Sequence, residues 1–575
     1  MDTMRFETDV LVIGTGGAGL RAAIELDALG RRVLLVGKRP KADAHTVLAA
    51  GGINAALATL DPEDSWAIHA ADTLKEGRML GDPAAVELLC REAPRAIEEL
   101  AAWGVPFARE DDERISQRYF GAHRFRRTAF VGDYTGLEII KALVAEVDRR
   151  GIRVLERVYI SDLLQAEGRI GGAYGFRLGD EREVVIQARA VILAAGGHIH
   201  IYNRSSSRRR ENTGDGMALA FKAGAFLADM ELVQFHPSGM VWPPEMEGTL
   251  VTEAVRGEGG RLINSAGERF MQRYDAERLE LSTRDRVALA NYAEIMAGRG
   301  TPHGGVWLDV SHLPVEQIEA RLPRMLEQFR EVGVDITREP MEVAPTAHYS
   351  MGGVRVDAAT HATGVPGLYA AGEVAAGIHG ANRLGGNSLA EIIVFGRLVG
   401  QQAAIYASRP AMRLCDETIA RCREAVDYWN TRDGATIRAL LSELQGVMWE
   451  GCGVIRDEPS LETALYQIEG IRYLADAAPA GVPDLAAALD LESMLLTAEA
   501  TIRSALARTE SRGAHQRADY PATDPAWRKT IIVEPVILGD HLGMVLGTAP
   551  LAEPSPEVAA ALDEAEYVVA GRLVE

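Results

Sequence analysis

The stretch DVLVIGTGGAGL, residues 9–20, decides the fold of this chain. Residues 9–13 have the pattern of a buried strand and run into a glycine-rich loop, and a helix is predicted over residues 20–29. A second buried strand is predicted at residues 32–36. Such a β-α-β unit with G-x-G-x-x-G at its first turn is typical of dinucleotide binding, because the glycines let the backbone approach a pyrophosphate at a helix N-terminus.

One part of a simple NAD-binding unit is missing. The acidic residue that would bind a ribose at the end of the second strand is replaced by Gly37-Lys38. The strand-to-glycine pattern occurs again at residues 184–197, and at residues 367–373 it ends on Glu373, which suits a ribose or ribityl hydroxyl or is a simple turn residue. The sequence therefore favours another dinucleotide, such as FAD, over NAD.

The length and the order of these patterns predict several domains of α/β class. We expect a Rossmann-like FAD-binding domain split between residues 1–240 and 350–410, interrupted by an α+β capping domain at residues 241–349. Residues 411–525 are rich in helix formers and predict a helical domain. Residues 526–575, with short β-like runs from Ile531, predict a small C-terminal domain.

Composition narrows the possible partners. The chain has 61 Lys and Arg against 82 Asp and Glu, and this charge of −21 predicts no nucleic-acid partner. No apolar run reaches the roughly 18 residues of a membrane span, and the N-terminus lacks the layout of a secretory signal, so we expect a cytoplasmic chain. The four cysteines form no C-x-x-C pair. The sequence therefore predicts no bound metal or iron–sulfur cluster, and electrons must leave through a partner.

Five short segments carry an unusual density of chemically useful residues. They are QFHP (234–237), TEAVRGEGG (252–260), STRD (282–285), TAHYSMGG (346–353) and HGANRLGGNS (379–388). Most place His or Arg beside Gly, Pro or small residues, so we expect them on loops where side chains converge. Any one of these residues alone is more often structural. Together, two histidines and two arginines provide hydrogen-bond donors for an anion with more than one carboxylate.

With these motifs the chain resembles the flavoprotein subunit of the succinate dehydrogenase/fumarate reductase family, over roughly residues 9–530. The run His45-Thr46 followed by Gly51-Gly52 resembles the segment whose histidine carries FAD covalently. The five segments match the active-site motifs of the family in order and spacing. Residues 510–515 with 519–521 match a further family segment, for which the sequence suggests no role.

The resemblance implies a role for individual residues. His236, Thr252, His348 and Arg383 would bind the dicarboxylate. Arg284 would accept the proton from succinate or donate it to fumarate, and Glu253 with Arg256 would relay it toward solvent. The residues expected to hold FAD are Gly14, Gly16, Gly17, Ala18, Gly19, Lys38, His45, Thr46, Gly51, Gly52, Asp215, Glu373, Ser388 and Leu389.

Chemistry supports this assignment of roles. Oxidising a saturated C–C bond needs a hydride acceptor at one carbon and a base at the other, in a fixed geometry. Arginine has a pKa above roughly 12. It can serve as that base only if Arg284 passes the proton into a buried network with Glu253 and Arg256.

The resemblance implies a succinate dehydrogenase that oxidises succinate to fumarate with FAD attached to His45. Its implied partners are an iron–sulfur subunit and, through it, a membrane anchor and quinone, which would place the chain peripherally on the cytoplasmic face of the membrane. Three positions depart from the common family pattern: Ala44 before the linking histidine, Ala195 in a glycine turn, and Ala50. Succinate-oxidising members of the family often carry Gln at the last position and fumarate-reducing members Glu, so Ala50 leaves the direction open.

Several alternatives remain at this point. A fumarate reductase would run the same chemistry in reverse. L-Aspartate oxidase and a soluble fumarate reductase with non-covalent flavin resemble this family but lack the linking histidine, so His45 argues against both. A flavin-binding scaffold without activity would be expected to lose some of His236, Arg284, His348 or Arg383, and all four are present.

Overall fold

A five-stranded parallel sheet lies at the centre of the molecule. A computed structural model of the chain describes residues 3–207, 211–539 and 541–572. The strands of this sheet lie side by side in the order Leu368–Ala370, Ala190–Leu193, Val10–Ile13, Val33–Gly37 and Arg153–Glu156. The predicted β-α-β unit is confirmed, but its helix, Gly17–Ala28, begins three residues earlier than predicted because the loop glycines themselves form the first turn.

The carboxyl ends of three neighbouring strands meet at one edge of this sheet. The glycine loop follows the strand Val10–Ile13, Ala195-Gly196 follows Ala190–Leu193, and Gly372-Glu373 follows Leu368–Ala370. In an open α/β sheet this edge is where ligands bind. The topology therefore brings together segments that are up to 360 residues apart in the chain.

Helices cover this sheet and pack closely against one another. The long helix Asn387–Tyr406 lies against the glycine-loop helix, and a Cβ added at Gly396 would come within 2.7 Å of the Ala18 carbonyl oxygen. The absence of that Cβ is what allows the two backbones to approach. The other helices of this part of the chain are Trp66–Glu76, Pro83–Ala102, Thr135–Arg149 and Asp215–Lys222.

A four-stranded antiparallel sheet forms a second layer. Its strands lie in the order Val233–Met240, Met341–Ser350, Val306–Asp309 and Arg261–Ile263. Its helices are Ala254–Gly257, Met271–Tyr274, Arg284–Glu294, Val315–Arg321 and Pro323–Glu331. These elements make an α+β layer that contains most of residues 241–349, the range predicted for the capping domain, together with the strand Val233–Met240 from the range predicted for the FAD-binding domain.

Four helices follow in the chain, Asp416–Trp429, Gly434–Cys452, Glu458–Asp476 and Leu485–Ala507. The hairpin Lys529–Leu538 with His541–Pro550 then extends a sheet that contains the short strands Leu227–Ala228 and Gly353–Val354. The segment predicted as a small C-terminal domain thus shares a sheet with the FAD-binding part. It continues into the helix Pro556–Arg572, and residues 573–575 lie outside the described residues.

Two smaller sheets complete the structure. One contains Met4–Glu7, Glu183–Gln187, Arg169–Arg177 and Val158–Ala166, and the other contains Ile53–Asn54, Thr128–Ala129 and Gln117–Arg118. Within the described ranges, no helix combines the length and the apolar character needed to cross a membrane.

Candidate active site

The glycine loop forms a cradle that a side chain would obstruct. Gly14 has φ +116°, and a Cβ there would lie 2.0 Å from the Ala194 carbonyl oxygen. A Cβ at Gly19 would lie 1.9 Å from the Gly14 carbonyl oxygen. At Gly16, by contrast, the nearest atom to such a Cβ is 3.7 Å away, so that side of the loop is open. Backbone N–H groups at a helix N-terminus beside open space fit a pyrophosphate, and the cradle therefore fits FAD.

One cavity of about 950 Å³ begins at this loop and continues to the capping layer. Of the residues predicted for substrate, catalysis and FAD, it is lined by all except Gly19, which lies beneath the loop, and Arg256, which lies behind Glu253. A single cavity of this kind can hold a dinucleotide and a small anion side by side.

His236 and His348 lie on strands, so the prediction that they lie on loops is wrong. They belong to the paired strands Val233–Met240 and Met341–Ser350, and their ring centroids are 5.3 Å apart. The strand pairing shifts register between Gln234 and Phe235 and again after His236, so that His348 has no directly opposite residue. Such β-bulges re-aim side chains, which explains how two strand residues both reach the cavity.

Both histidines are neutral near neutral pH. Burial, together with the nearby charges of Arg284 and Arg383, holds the pKa of His236 and the pKa of His348 well below the usual value. Ser206 Oγ lies 3.1 Å from His348 Nδ1. Neutral imidazoles can donate hydrogen bonds to a carboxylate without adding charge.

Arg284 is the first residue of the helix Arg284–Glu294, and it too lies outside a loop. Its Nε donates to Glu253 Oε2 at 2.8 Å, and Arg256 Nη2 lies 4.0 Å from the same oxygen. Burial alone would raise the pKa of Glu253, but the two arginines lower it overall, so the carboxylate stays ionised. The predicted triad of Arg284, Glu253 and Arg256 is therefore in contact. Arg256 continues inward, donating from Nη1 to the Glu280 carbonyl at 2.7 Å.

The cavity is rich in guanidinium groups. Arg383 lies over the Tyr349 ring at 4.5 Å, and burial, with the charge of Arg284, lowers the pKa of Arg383 to about 10. Arg284 Nη1 and Arg383 Nε are buried and have no hydrogen-bond acceptor among the described residues. Buried donors without acceptors are costly, so this arrangement suits an anionic ligand.

The residues predicted for FAD occupy distinct parts of the cavity. Lys38 Nζ lies 2.9 Å from both Asp215 Oδ2 and Asp490 Oδ1. Glu373 Oε1 accepts from the Ser350 amide at 3.0 Å, and burial raises the pKa of Glu373 to about 7. His45 Nδ1 lies 3.3 Å from Glu211 Oε1. Lys38, Asp215, Glu373 and His45 therefore all line the one cavity that begins at the glycine loop.

Some residues of the site are not identified by the sequence pattern. Phe120 fills the space that side chains at Gly51 and Gly385 would occupy, since Cβ atoms there would lie 2.4 and 2.3 Å from its ring. In the sequence, Phe120 is indicated only indirectly, by the two glycines, Gly51 and Gly385, that leave room for its ring. No local sequence pattern identifies Glu211, because the residue it contacts, His45, lies 166 residues earlier in the chain.

Asn382 lies within one of the motifs, but the motif does not reveal its role. Its Nδ2 donates to Glu76 Oε1 at 2.6 Å and to Asp285 Oδ1 at 3.3 Å, and its Oδ1 accepts from Gln234 Nε2 at 2.8 Å. Asn382 precedes Arg383, and Asp285 follows Arg284. One buried amide therefore joins the segments that carry the cavity's arginines to the strand that carries His236.

Two protein-family models match this chain. Residues 9–389 match the family described as FAD binding domain, and residues 441–540 match the family described as Fumarate reductase flavoprotein C-term. The fold, the cradle and these matches define the chain as a flavoprotein oxidoreductase.

Individual relatives identify the family. The chain is 48% identical over 557 residues to one of the subunits of the fumarate reductase (CoM/CoB) of Methanothermobacter marburgensis, across 94% of this chain and 100% of that protein. It is 38% identical to the succinate dehydrogenase flavoprotein subunit of Rickettsia conorii, across 91% and 92% of the two chains. Its structure is similar to Mycobacterium smegmatis Sdh1 in complex with UQ1, with a TM-score of 0.89, 41% identity and 98% of both chains covered. The chain belongs to the family of flavoprotein subunits of succinate dehydrogenase and fumarate reductase, which confirms the resemblance drawn from its motifs.

Proposed function

We propose that this chain is the catalytic flavoprotein subunit of a succinate dehydrogenase, which oxidises succinate to fumarate. The observation that carries the proposal is the convergence of His236, His348, Arg284 and Arg383 on the same cavity as the glycine cradle. A scaffold protein would have no use for buried guanidinium groups aimed at the place where a flavin ring would lie.

The dicarboxylate would be bound by charge and by neutral donors together. Arg383 would pair with one carboxylate, and the neutral His236 and His348 with Thr252 would donate hydrogen bonds to the rest of the anion. Bound FAD would supply the hydride acceptor for the C–C oxidation. The residues of the cavity would hold the substrate carbons at a fixed distance from it and exclude water.

Arg284 would move the proton. Its Nε already donates to Glu253 Oε2 at 2.8 Å, so the guanidinium could pass that proton to the ionised carboxylate as it takes one from succinate, and its charge would not change. Arg256, 4.0 Å from the same oxygen, would stabilise Glu253 as the charges shift. In the reverse direction the same groups would deliver a proton to fumarate.

We further propose that FAD is attached covalently to His45. In the family that the chain belongs to, attachment raises the potential of the flavin and favours taking electrons from succinate, which is why we assign the oxidative direction. Fumarate reduction is the second candidate. It is favoured by the 48% identity to a protein whose name is that of a fumarate reductase (CoM/CoB).

Electrons would leave through a partner. All four cysteines are free thiols without a C-x-x-C pair, so we propose that an iron–sulfur protein of the same complex is the acceptor. A membrane anchor and quinone would follow, with this chain held peripherally on the cytoplasmic face of the membrane through these partners.

Replacement of Arg284 tests the proton role. Arg284→Lys keeps a positive charge but loses the fork that contacts Glu253, so turnover of succinate is expected to fall about 10²- to 10⁴-fold. Succinate binding, followed by the change in flavin absorbance, should stay within a few-fold of the parent. Arg286→Lys is the matched control, because Arg286 is exposed and pairs with Asp275 instead. Turnover of Arg284→Lys close to that of the parent would remove Arg284 from the proton transfer.

The direction is tested on the same holoprotein. Succinate oxidation with an artificial electron acceptor and fumarate reduction with a reduced dye are compared at equal protein concentration. We expect oxidation to be the faster reaction. Faster reduction would favour the second candidate, and the absence of both reactions would contradict the proposed function.

A further inference from the structure

We propose that Glu211 is the positioning residue for the attachment of FAD to His45. It would hold the proton of the imidazole on Nδ1, keep the lone pair on Nε2, and stabilise the positive charge that the ring gains when Nε2 forms a bond. This inference rests on the covalent attachment proposed above and deepens it.

The contact between the two side chains is direct. His45 Nδ1 lies 3.3 Å from Glu211 Oε1, and both residues line the large cavity. The His45 side chain is 19% exposed and that of Glu211 is 9% exposed. The other carboxylate oxygen, Oε2, lies 3.5 Å from Arg39 Nη1. Arg39 therefore pairs with Oε2, while Oε1 faces the imidazole.

The backbone that follows Glu211 is held by hydrogen bonds. The next residue, Asn212, has φ +52°, and Gly214 has φ +77°, so the chain turns sharply through left-handed conformations that asparagine and glycine tolerate. The His200 amide donates to the Asn212 carbonyl at 3.0 Å, and the Gly214 amide donates to the Gly197 carbonyl at 3.1 Å. Glu211 is thus held against His45 by an anchored turn.

A carboxylate at Nδ1 determines the chemistry of an imidazole. A neutral histidine carries one N–H, and a hydrogen bond from Nδ1–H to an acceptor leaves Nε2 as the nucleophilic nitrogen. The same arrangement orients histidines in metal sites and in catalytic triads, where the carboxylate also stabilises the imidazolium. At His45 it would prepare Nε2 to attack carbon.

The reaction can be balanced with the substrates of the proposed activity. A bond forms between His45 Nε2 and the methyl carbon at position 8 of the flavin, and one C–H bond of that methyl group breaks. The electron pair stays on the flavin, which is reduced by two electrons. Fumarate then accepts these two electrons, together with the methyl proton and the imidazole proton, and becomes succinate. Glu211 would receive the imidazole proton on its way out.

The test follows attachment itself, independently of turnover. Apoprotein is incubated with FAD and fumarate, samples are denatured in acid at intervals, and the flavin fluorescence of the polypeptide band is measured on a gel. The variants are Glu211→Ala, Glu211→Gln and Glu211→Asp. Asp43→Asn is the matched control, because Asp43 is a carboxylate on the same cavity that also pairs with Arg39.

The expected result is attachment about ten- to a hundredfold slower in Glu211→Ala and Glu211→Gln, since each loses a charge-assisted hydrogen bond. Glu211→Asp should recover part of the rate, and Asp43→Asn should match the parent. Non-covalent FAD, released into the acid supernatant, should be present in all variants. Because Gln keeps the shape of Glu, a slow Glu211→Gln that still binds FAD separates the charge of Glu211 from a general effect on folding.

Two results would overturn the inference. If Glu211→Ala or Glu211→Gln acquired fluorescence at the rate of the parent, Glu211 would have no part in attachment, while the covalent bond itself would stand. If the parent band stayed dark and all FAD appeared in the supernatant, the covalent attachment and this role would fall together. The dicarboxylate activity would still be judged separately, by the rates of succinate oxidation and fumarate reduction.

Discussion

Glu76 is a carboxyl group that the fold holds neutral at neutral pH. Burial raises the pKa of Glu76 to about 8, and the charge of Asp285 adds to the effect. In an unfolded chain the pKa of glutamate is about 4.3. Between these two values the folded protein binds a proton that the unfolded chain has lost, so the stability contributed by Glu76 falls as pH rises through this window.

The variant Glu76→Gln tests this linkage. Glutamine keeps the shape and cannot ionise, so the variant should gain stability relative to the parent as pH rises from 6 to 9, by at most about 1.4 kcal/mol per pH unit. Melting temperatures measured at each pH give the difference between the two proteins. Glu98→Gln, on an exposed position of the helix Pro83–Ala102, is the control. A difference that does not change with pH would contradict a neutral Glu76.

Much of the site at residue scale could be predicted from sequence. The motif residues His236, Thr252, Arg284, His348 and Arg383 line one cavity. Residue type and spacing identify them because each carries chemistry that few other side chains provide. Glu76 lies in an ordinary amphipathic helix and reaches Asn382 across 306 residues, so its buried environment exists only in the folded chain.

At the scale of elements, the structure shows what the segment of residues 510–521 contacts. The Ala514 amide donates to the Ala381 carbonyl at 2.8 Å, and Arg512 Nη1 donates to the Arg78 carbonyl at 3.0 Å. Gly513 has φ +55° and lies directly against Ala381. This segment therefore supports the turn that leads to Arg383.

We expect Gly513→Ala to displace that turn. A Cβ at residue 513 would lie 2.4 Å from the Ala381 carbonyl oxygen, and the positive φ is unfavourable for alanine. Arg383 follows Ala381 by two residues, so a displaced turn should move its side chain. The KM for the dicarboxylate should therefore rise several-fold while kcat changes less. Steady-state kinetics of Gly470→Ala provide the comparison, since a Cβ there meets no atom within 4 Å. An unchanged KM in Gly513→Ala would show that this contact does not position Arg383.

The secondary structure near the site was harder to predict than the identity of the residues that form the site. The motifs containing His236 and His348 have Gly and Pro neighbours that suggest loops, yet both histidines lie on paired strands. Strand pairing over these residues depends on long-range partners and on two register shifts, and a local pattern contains neither. The glycine loop was predictable because its geometry is set within a dozen residues.

At the scale of the whole molecule, Lys38 connects two distant parts of the chain. Its Nζ lies between Asp215, at the start of the helix Asp215–Lys222, and Asp490, in the helix Leu485–Ala507. The Asp490 side chain is only 1% exposed. This ion pair therefore joins the helical segment to the FAD-binding part beside the proposed cofactor site.

Asp490→Asn should destabilise the whole protein. Removing one charge leaves Lys38 with Asp215 as its remaining carboxylate, so the cost should fall below the roughly 3–5 kcal/mol typical of a buried charge left without any partner. The melting temperature should drop clearly, and the loss should persist when FAD is added. Asp476→Asn, an exposed carboxylate in the same group of helices, is the comparison. If both variants had the same melting temperature as the parent, the ion pair would not contribute to the stability of the protein.

The order of the layers could also be predicted from sequence, while the place of the C-terminal hairpin could not. Alternating strand and helix patterns indicate the parallel sheet, and the inserted region follows from where that pattern stops. The hairpin Lys529–Leu538 with His541–Pro550 joins strands that lie about 180 to 300 residues earlier, Leu227–Ala228 among them. Edge pairing of that kind depends on which strand edges remain accessible after the core has formed.

The order of the strands along the chain has a consequence for the time at which the central sheet is complete during biosynthesis. Its five strands lie between Val10 and Ala370 in the chain, so the sheet is complete only when Leu368–Ala370 is present. Asp490, the partner of Lys38, lies further along the chain. A nascent chain that has emerged from the ribosome only to residue 350 therefore has the glycine loop and both strands beside it, but not the edge strand Leu368–Ala370, which pairs with Ala190–Leu193. We therefore expect FAD to bind stably only after residues 368–373 have been translated, because Gly372 and Glu373 line the same cavity as the glycine loop.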